Sequence, residues 1–254
     1  MRSRYIDIDD RTHDLADLLR EKPAAALEFQ KKFQISWIYH DCALEGVVFT
    51  GDELVKALSD RHLTEAGSLD ALRDIRNFEA AIEVVRSEAA ARRPRISLAL
   101  VKRLHETLHA GMGAKAATEF RTDIPLHRAY YHEIAPPGRI AAQLGSVLEA
   151  CGSGAFRRLH PVQQASNLQH AFMQVYPYTE GSGKVARLLS NLLLIHAGYQ
   201  PCIVHTIDRQ RYYESLKLAE PQLRELMLES IENALVSGER YMRAAAVGLR
   251  RAAR

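Results

Sequence analysis

Apolar residues recur at intervals of three and four along most of the chain, the spacing that places them on one face of a helix. Pro23, which is tolerated in a first helical turn, opens a predicted helix that runs to about Leu44. Thr50 followed by Glu53 predicts a capping box for the next helix, and Ser97 predicts an N-cap for a later one. Further helices are predicted from Ser68 to just before Pro94, over residues 139–150, 161–175 and 182–197, and twice between Asp208 and the C-terminus.

The helical period is lost between residues 118 and 134. Tyr130 and Ile134 lie in this stretch, which ends at Pro136-Pro137. Proline lacks an amide donor and restricts the residue before it, so the two prolines mark the end of the irregular stretch. We therefore predict a mainly α fold class with one short β-hairpin or extended flap.

Length and composition restrict the class of protein. A chain of 254 residues, 47% of them apolar, can bury one substantial core. The formal net charge of +3 indicates neither a nucleic-acid nor a membrane partner. Three cysteines without CxxC spacing, and no apolar signal segment, favour reduced thiols and a cytoplasmic location. We expect an N-terminal helical region (1–94), a core (95–220) and a C-terminal helix with a basic tail (221–254).

The stretch Val175–Pro201 has the residue order of an anion site at the start of a helix. A proline ends the preceding helix, Gly181 and Gly183 let backbone amides approach a ligand, and a long apolar helix follows. Lys184 and Arg187 lie one turn apart and can add charge-assisted contacts to a phosphate. An ordinary interhelical loop with solvated basic residues stays open as the alternative.

The same stretch resembles the signature of the Fic family, in which His-Pro-Phe is followed by one variable residue, Asp or Glu, Gly-Asn-Gly-Arg, two variable residues and Arg. Residues 176–187 here have the sequence YPYTEGSGKVAR. The proline, the acidic residue, both glycines and the last arginine match in register, whereas the His, Phe, Asn and first Arg are replaced. Upstream, residues 41–46 (DCALEG) resemble the family's inhibitory helix motif, in which Ser or Thr is followed after three residues by Glu and then Gly or Asn.

The resemblance implies a Fic-like helical fold and transfer of AMP, or another nucleotide-derived group, to a hydroxyl of a protein target. It implies that Glu180 holds Mg²⁺, that Arg187 binds the terminal phosphate of ATP or another nucleotide, and that Glu45 competes by pairing with Arg187. A purely structural Glu45–Arg187 ion pair stays open. A homodimer is compatible with the resemblance, because family members often pair through helices. The amides implied to bind the other phosphates belong to Gly181, Ser182 and Gly183.

Tyr176 stands where the family has its general base, a histidine. A free phenol with a pKa near 10 is almost fully protonated at pH 7, and losing a general base costs a factor of roughly 10² to 10⁴ in rate. Lys184 keeps the charge of the Arg that it replaces without the bidentate fork, and it joins Tyr176 as a catalytic candidate.

We therefore expect a protein that binds a nucleotide or another phosphorylated small molecule without ordinary AMP transfer. Two alternatives remain open. One is a transferase of altered chemistry, in which the Tyr176 hydroxyl acts as nucleophile or proton donor. The other is a non-catalytic interaction scaffold that binds no phosphate ligand.

Overall fold

A computed structural model describes residues 2–59, 69–113, 119–125 and 132–252. Within these ranges the chain forms eleven α-helices and no β-strand, with 3₁₀ turns at Pro137–Arg139 and Thr206–Asp208. None of the helices described is long and apolar enough to cross a membrane. The helices are α1 (Arg2–Glu21), α2 (Pro23–Leu44), α3 (Gly51–Ser59), α4 (Leu69–Ala89), α5 (Leu98–Leu108), α6 (Ile140–Gly152), α7 (Gly154–Arg157), α8 (Pro161–Val175), α9 (Ser182–His196), α10 (Arg209–Ser215) and α11 (Glu220–Ala252).

Helix α9 lies at the centre of the core. Its residues from Ser182 to Leu194 are buried with the exception of Lys184, and α4, α5 and α8 pack around it. A helix that is apolar on all sides is stable only when it is enclosed, so the leucine-rich sequence of α9 accounts for this central position. Because α9 is held on all sides, the loop at its N-terminus has a rigid base.

The predicted caps of α3 and α5 are confirmed. Thr50 N donates to the Glu53 carboxylate (2.7 Å) and Glu53 N donates to Thr50 Oγ1 (3.2 Å), which together form the capping box. Leu100 N donates to Ser97 Oγ at 3.2 Å. The prediction that Ser68 caps α4 lies outside the described residues.

Helix α1 was not predicted, since its few apolar residues are dispersed among charged ones. Ile8 and Leu15, seven residues apart, are buried in one face of the helix. On the same helix Arg4 pairs with Glu225 and Glu232 of α11, both at 2.6 Å. Contacts with α11, remote in sequence, therefore hold α1 in place.

The predicted β-hairpin does not occur in the described part of the flap stretch. Residues 119–125 and 132–136 contain no strand, and 126–131 lie outside the described residues. Arg121 N donates to Pro177 O and Ala135 N donates to Gln174 O, both at 2.9 Å. Both ends of the stretch thus form hydrogen bonds with the end of α8 and the residue after Tyr176. In a hairpin, such backbone groups would instead pair with each other.

Candidate functional site

Helix α8 ends in a strained residue. Tyr176 follows it in the left-handed conformation, with φ 48°, and is the one residue other than glycine with positive φ in the described chain. Such a conformation costs about 1–3 kcal/mol and persists only where the surroundings hold it. Here the buried Arg121 donates from Nε to Tyr176 O at 2.7 Å and from Nη2 to Val175 O at 3.3 Å.

The loop that follows, residues 177–184, is closed by Ser182 and is called the anion loop below. Ser182 Oγ accepts from Tyr178 N and donates to Tyr178 O, both at 2.8 Å, and Ser182 is completely buried. Its side chain is therefore engaged inside the loop, so only its backbone amide can serve the phosphate contact predicted for this position.

Gly181 is the N-cap of α9, and no side chain caps this end. Its φ is 78°, and the ring of His109 packs so closely that a Cβ at this position would lie 3.1 Å from Nε2. Both observations explain why glycine is required here. Because the first amides of a helix have no acceptor within it, the N-terminus of α9 attracts an anion.

The carboxylate of Glu45 lies at this helix terminus. Glu45 directly follows α2, and Arg187 Nη2 donates to its Oε1 at 2.8 Å. A Cβ on Gly183 would overlap Glu45 Oε1 and would lie 2.9 Å from Arg187 Nη1. The absence of a side chain at Gly183 thus lets the carboxylate approach the anion loop. The predicted Glu45–Arg187 pair is present, and its role is a separate question.

Asp41 is a second partner of Arg187, and the sequence patterns assigned it no role. Arg187 Nε and Nη2 donate to Asp41 Oδ1 at 3.0 and 2.7 Å. Asp41 and Glu45 are four residues apart, which is the spacing that places two side chains on the same face of a helix, and this signal could have identified Asp41. Burial alone would lower the pKa of Arg187, but the carboxylates of Asp41 and Glu45 raise it well above its ordinary value.

A cavity of about 280 Å³ opens beside the anion loop. Tyr176, Glu180, Gly181, Lys184 and Glu45, all predicted site residues, line it. Arg187, Ser182 and Gly183 lie behind this lining. Residues that sequence reasoning did not place in a site also line the cavity: Asp74, His109, Arg209 and Tyr213.

Two cations and their neighbours determine the charge of the cavity. Burial alone would lower the pKa of Lys184, but nearby acidic groups, Glu45 and Asp74 among them, raise it, so the ammonium stays charged. Arg209 Nε donates to Leu44 O at 2.9 Å, at the end of α2 next to Glu45. The cavity is therefore lined by two cations, Lys184 and Arg209, and by the carboxylates of Glu45, Asp74 and Glu180.

The fold and the loop define a helical protein with an anion-binding geometry at the N-terminus of a buried helix. Comparisons with known proteins identify the class more closely. Residues 95–194 match the sequence model of the Fic/DOC family. The chain is 27% identical over 218 residues to Protein adenylyltransferase Fic of Drosophila grimshawi, and 26% identical to that of Drosophila erecta. The alignment with the first covers 85% of this chain and 44% of the relative, so the chain spans less than half of that protein.

Solved structures share the fold. A Fic domain containing signaling protein from Bacteroides thetaiotaomicron aligns with a TM-score of 0.78 at 18% identity, covering 93% of this chain and 97% of that one. Fic-1 from C. elegans aligns with a TM-score of 0.76 at 20% identity, covering 97% of this chain and 73% of that one. The match over residues 95–194, the curated relatives and the shared fold together support assignment of this chain to the Fic family.

Proposed function

We propose that the chain binds ATP or another phosphorylated ligand in the cavity beside the anion loop, with Glu45 opposing that binding. The observation that carries this proposal is the position of the Glu45 carboxylate, against Gly183 and on Arg187. An anion of the chain already lies at the helix terminus, where a ligand's phosphate would be stabilised by the same amides and the same guanidinium. The curated relatives are named protein adenylyltransferases, which supports a nucleotide as the ligand.

Mg²⁺ fits the residues that are present. The described residues contain no group of three or more His, Cys, Asp or Glu that could hold a metal alone. Mg²⁺, however, is commonly held by one or two carboxylates together with substrate phosphates and water. Glu180, exposed and lining the cavity, would hold it in that way, and the ion would neutralise charge on the bound phosphates.

Calorimetry and thermal melting with ATP and Mg²⁺ test the proposal. Wild type, Glu45→Gly and Arg187→Ala are compared, with Glu229→Gln, at a surface pair with Arg211, as a control for loss of one carboxylate. We expect Glu45→Gly to bind ATP more tightly than wild type, Arg187→Ala to bind it more weakly and Glu229→Gln to equal wild type. Absence of ATP binding in folded Glu45→Gly would refute the proposal and leave the scaffold function.

Transfer chemistry is the second candidate function, favoured by Tyr176, which lines the same cavity in a strained conformation. In AMP transfer, a target hydroxyl oxygen would bond to the α-phosphorus of ATP as the bond to the leaving pyrophosphate breaks. The hydroxyl proton must pass to a base, and a protonated phenol is a poor one. Intact mass measurement after incubation with ATP detects the modified product.

The deciding variants are Tyr176→Phe and Tyr176→His, each combined with Glu45→Gly. Loss of turnover in Tyr176→Phe would assign the chemistry to the hydroxyl of Tyr176. If the remaining site is intact, Tyr176→His should raise transfer by a factor of roughly 10² to 10⁴, the usual contribution of a general base. The last outcome compares Glu45→Gly with the double variant Glu45→Gly, Tyr176→His. If both proteins bind ATP and neither transfers AMP, the chain is a binding module.

A further inference from the structure

Two carboxylates contact Arg187, and their surroundings differ. Asp41 is 5% exposed and Arg187 4% exposed, so this pair is enclosed in the protein. Glu45 is 21% exposed and lines the cavity, whereas Asp41 is not part of its lining. A ligand that enters the cavity therefore meets the Glu45 carboxylate, whereas Asp41 and Arg187 are both buried and absent from the lining.

The two carboxylates share one nitrogen of the guanidinium, because Glu45 Oε1 accepts from Nη2 only, whereas Asp41 binds a whole edge. Asp41 Oδ1 accepts from both Nε and Nη2, and the Asp41 carbonyl accepts from Nη2 at 3.3 Å. Nη1 lies on the other side, 2.9 Å from where a Cβ of Gly183 would be. Because a guanidinium is planar, contacts along the Nε–Nη2 edge determine where Nη1 points. Nη1 also donates to Tyr212 Oη at 3.5 Å, so Asp41 and Tyr212 together hold the guanidinium with Nη1 beside the anion loop.

We propose that Asp41 is a permanent counter-ion that positions Arg187 for a ligand phosphate. This inference rests on the proposed ATP binding. A buried guanidinium that lost both carboxylates would be left without compensation, which is strongly unfavourable. When the phosphate displaces Glu45, Asp41 keeps Arg187 paired and correctly oriented.

The proposal predicts that removing the charge of Asp41 changes the affinity for ATP in the direction opposite to the one that simple electrostatics predicts. Removing a negative charge near an anion site should strengthen anion binding. The loss of the Asp41 charge should weaken it instead, because Arg187 would no longer be held against the loop. Asp70→Asn is the control for loss of one carboxylate on the neighbouring surface, since Asp70 is exposed, pairs with Arg73 and does not line the cavity.

The experiment measures the Kd of ATP with Mg²⁺ for Glu45→Gly, for Glu45→Gly with Asp41→Asn, and for Glu45→Gly with Asp70→Asn. AMP is the second ligand, because it lacks the terminal phosphates. We expect Asp41→Asn to weaken ATP binding by about tenfold or more, the scale of a charge-assisted contact. AMP binding should be unchanged, and Asp70→Asn should leave ATP binding equal to that of Glu45→Gly. A general folding defect would instead weaken both ligands.

If Asp41→Asn leaves ATP binding unchanged or strengthens it, the inference about Asp41 is wrong but the proposed function stands. The same holds if Asp41→Asn weakens AMP binding as much as ATP binding. If ATP does not bind to Glu45→Gly at all, the proposed function is wrong, and the replacement of Glu45 by a phosphate is wrong with it. If the double variant does not fold, the single Asp41→Asn variant, in which Glu45 still pairs with Arg187, provides the second test. It should bind ATP about tenfold or more weakly than wild type, and equal binding would refute the positioning role.

Discussion

Replacing Gly183 by alanine tests whether the Glu45 carboxylate truly depends on the missing side chain. Gly183 lies in the first turn of α9, where alanine is favoured over glycine by up to about 1 kcal/mol. The new methyl group would overlap Glu45 Oε1 and lie 3.2 Å from Glu45 Cδ, so the carboxylate must move by about 1 Å. Its 2.8 Å bond to Arg187 then lengthens beyond hydrogen-bonding range.

The magnitude follows from where the pair lies. A charge-assisted hydrogen bond contributes about 1.5–3 kcal/mol when buried, and an exposed ion pair about 0.2–1 kcal/mol. Glu45 is 21% exposed and Arg187 4%, so we expect a loss of about 1–2 kcal/mol. In wild type this loss offsets the helix gain, and Gly183→Ala should be neutral or destabilising by up to about 1 kcal/mol.

Urea unfolding of a double-mutant cycle measures the effect. With Glu45→Gly in the background there is no carboxylate to displace, so Gly183→Ala should be less destabilising there than in wild type. The contact of the new methyl group with Arg187 Nη1 occurs in both backgrounds, so it cancels in the coupling free energy. The expected coupling is about 1–2 kcal/mol. Equal changes in both backgrounds, within about 0.5 kcal/mol, would refute the dependence of the Glu45 carboxylate on Gly183.

Three further predictions concern the core, a buried histidine and a cap. A Cβ on Gly238 would lie 2.9 Å from Leu15 Cδ2, so Gly238→Val should lower the free energy of unfolding by about 1–3 kcal/mol. A Cβ on Gly145 would meet nothing within 4 Å, so Gly145→Ala should raise the free energy of unfolding slightly. Urea unfolding measures both changes. Burial and the neighbouring histidine lower the pKa of His105 to about 4. The unfolded chain binds the proton more tightly, so the free energy of unfolding should fall by up to about 3 kcal/mol as pH falls from about 6.5 to 4. His105→Gln should remove this contribution to the pH dependence of stability. Ser97→Ala should cost about 1 kcal/mol in the same assay, and no change would show that the cap contributes nothing.

Local patterns in the sequence predicted much of the helical architecture. The caps at Thr50 and Ser97 act through residues only three positions away, so their contacts follow from the local sequence once a helix forms. The start of α9 was predictable for the same reason, because Gly181 and the apolar run after it are adjacent in the chain. The pairing of Glu45 with Arg187 was predicted by resemblance to a family and is present as a contact.

Contacts between distant parts of the chain decided the rest. Helix α1 depends on α11, more than 200 residues away, and the stretch predicted as a hairpin bonds to the end of α8 through Arg121 instead. The role of Asp41 depends on burial, which the spacing of Asp41 and Glu45 does not reveal. Capping and periodicity are properties of neighbouring residues, so the sequence alone determined the capped and periodic helices and the glycine loop. Burial and charge pairing depend on which helices meet, and therefore only the tertiary structure decided that one buried carboxylate holds Arg187 while another faces the cavity.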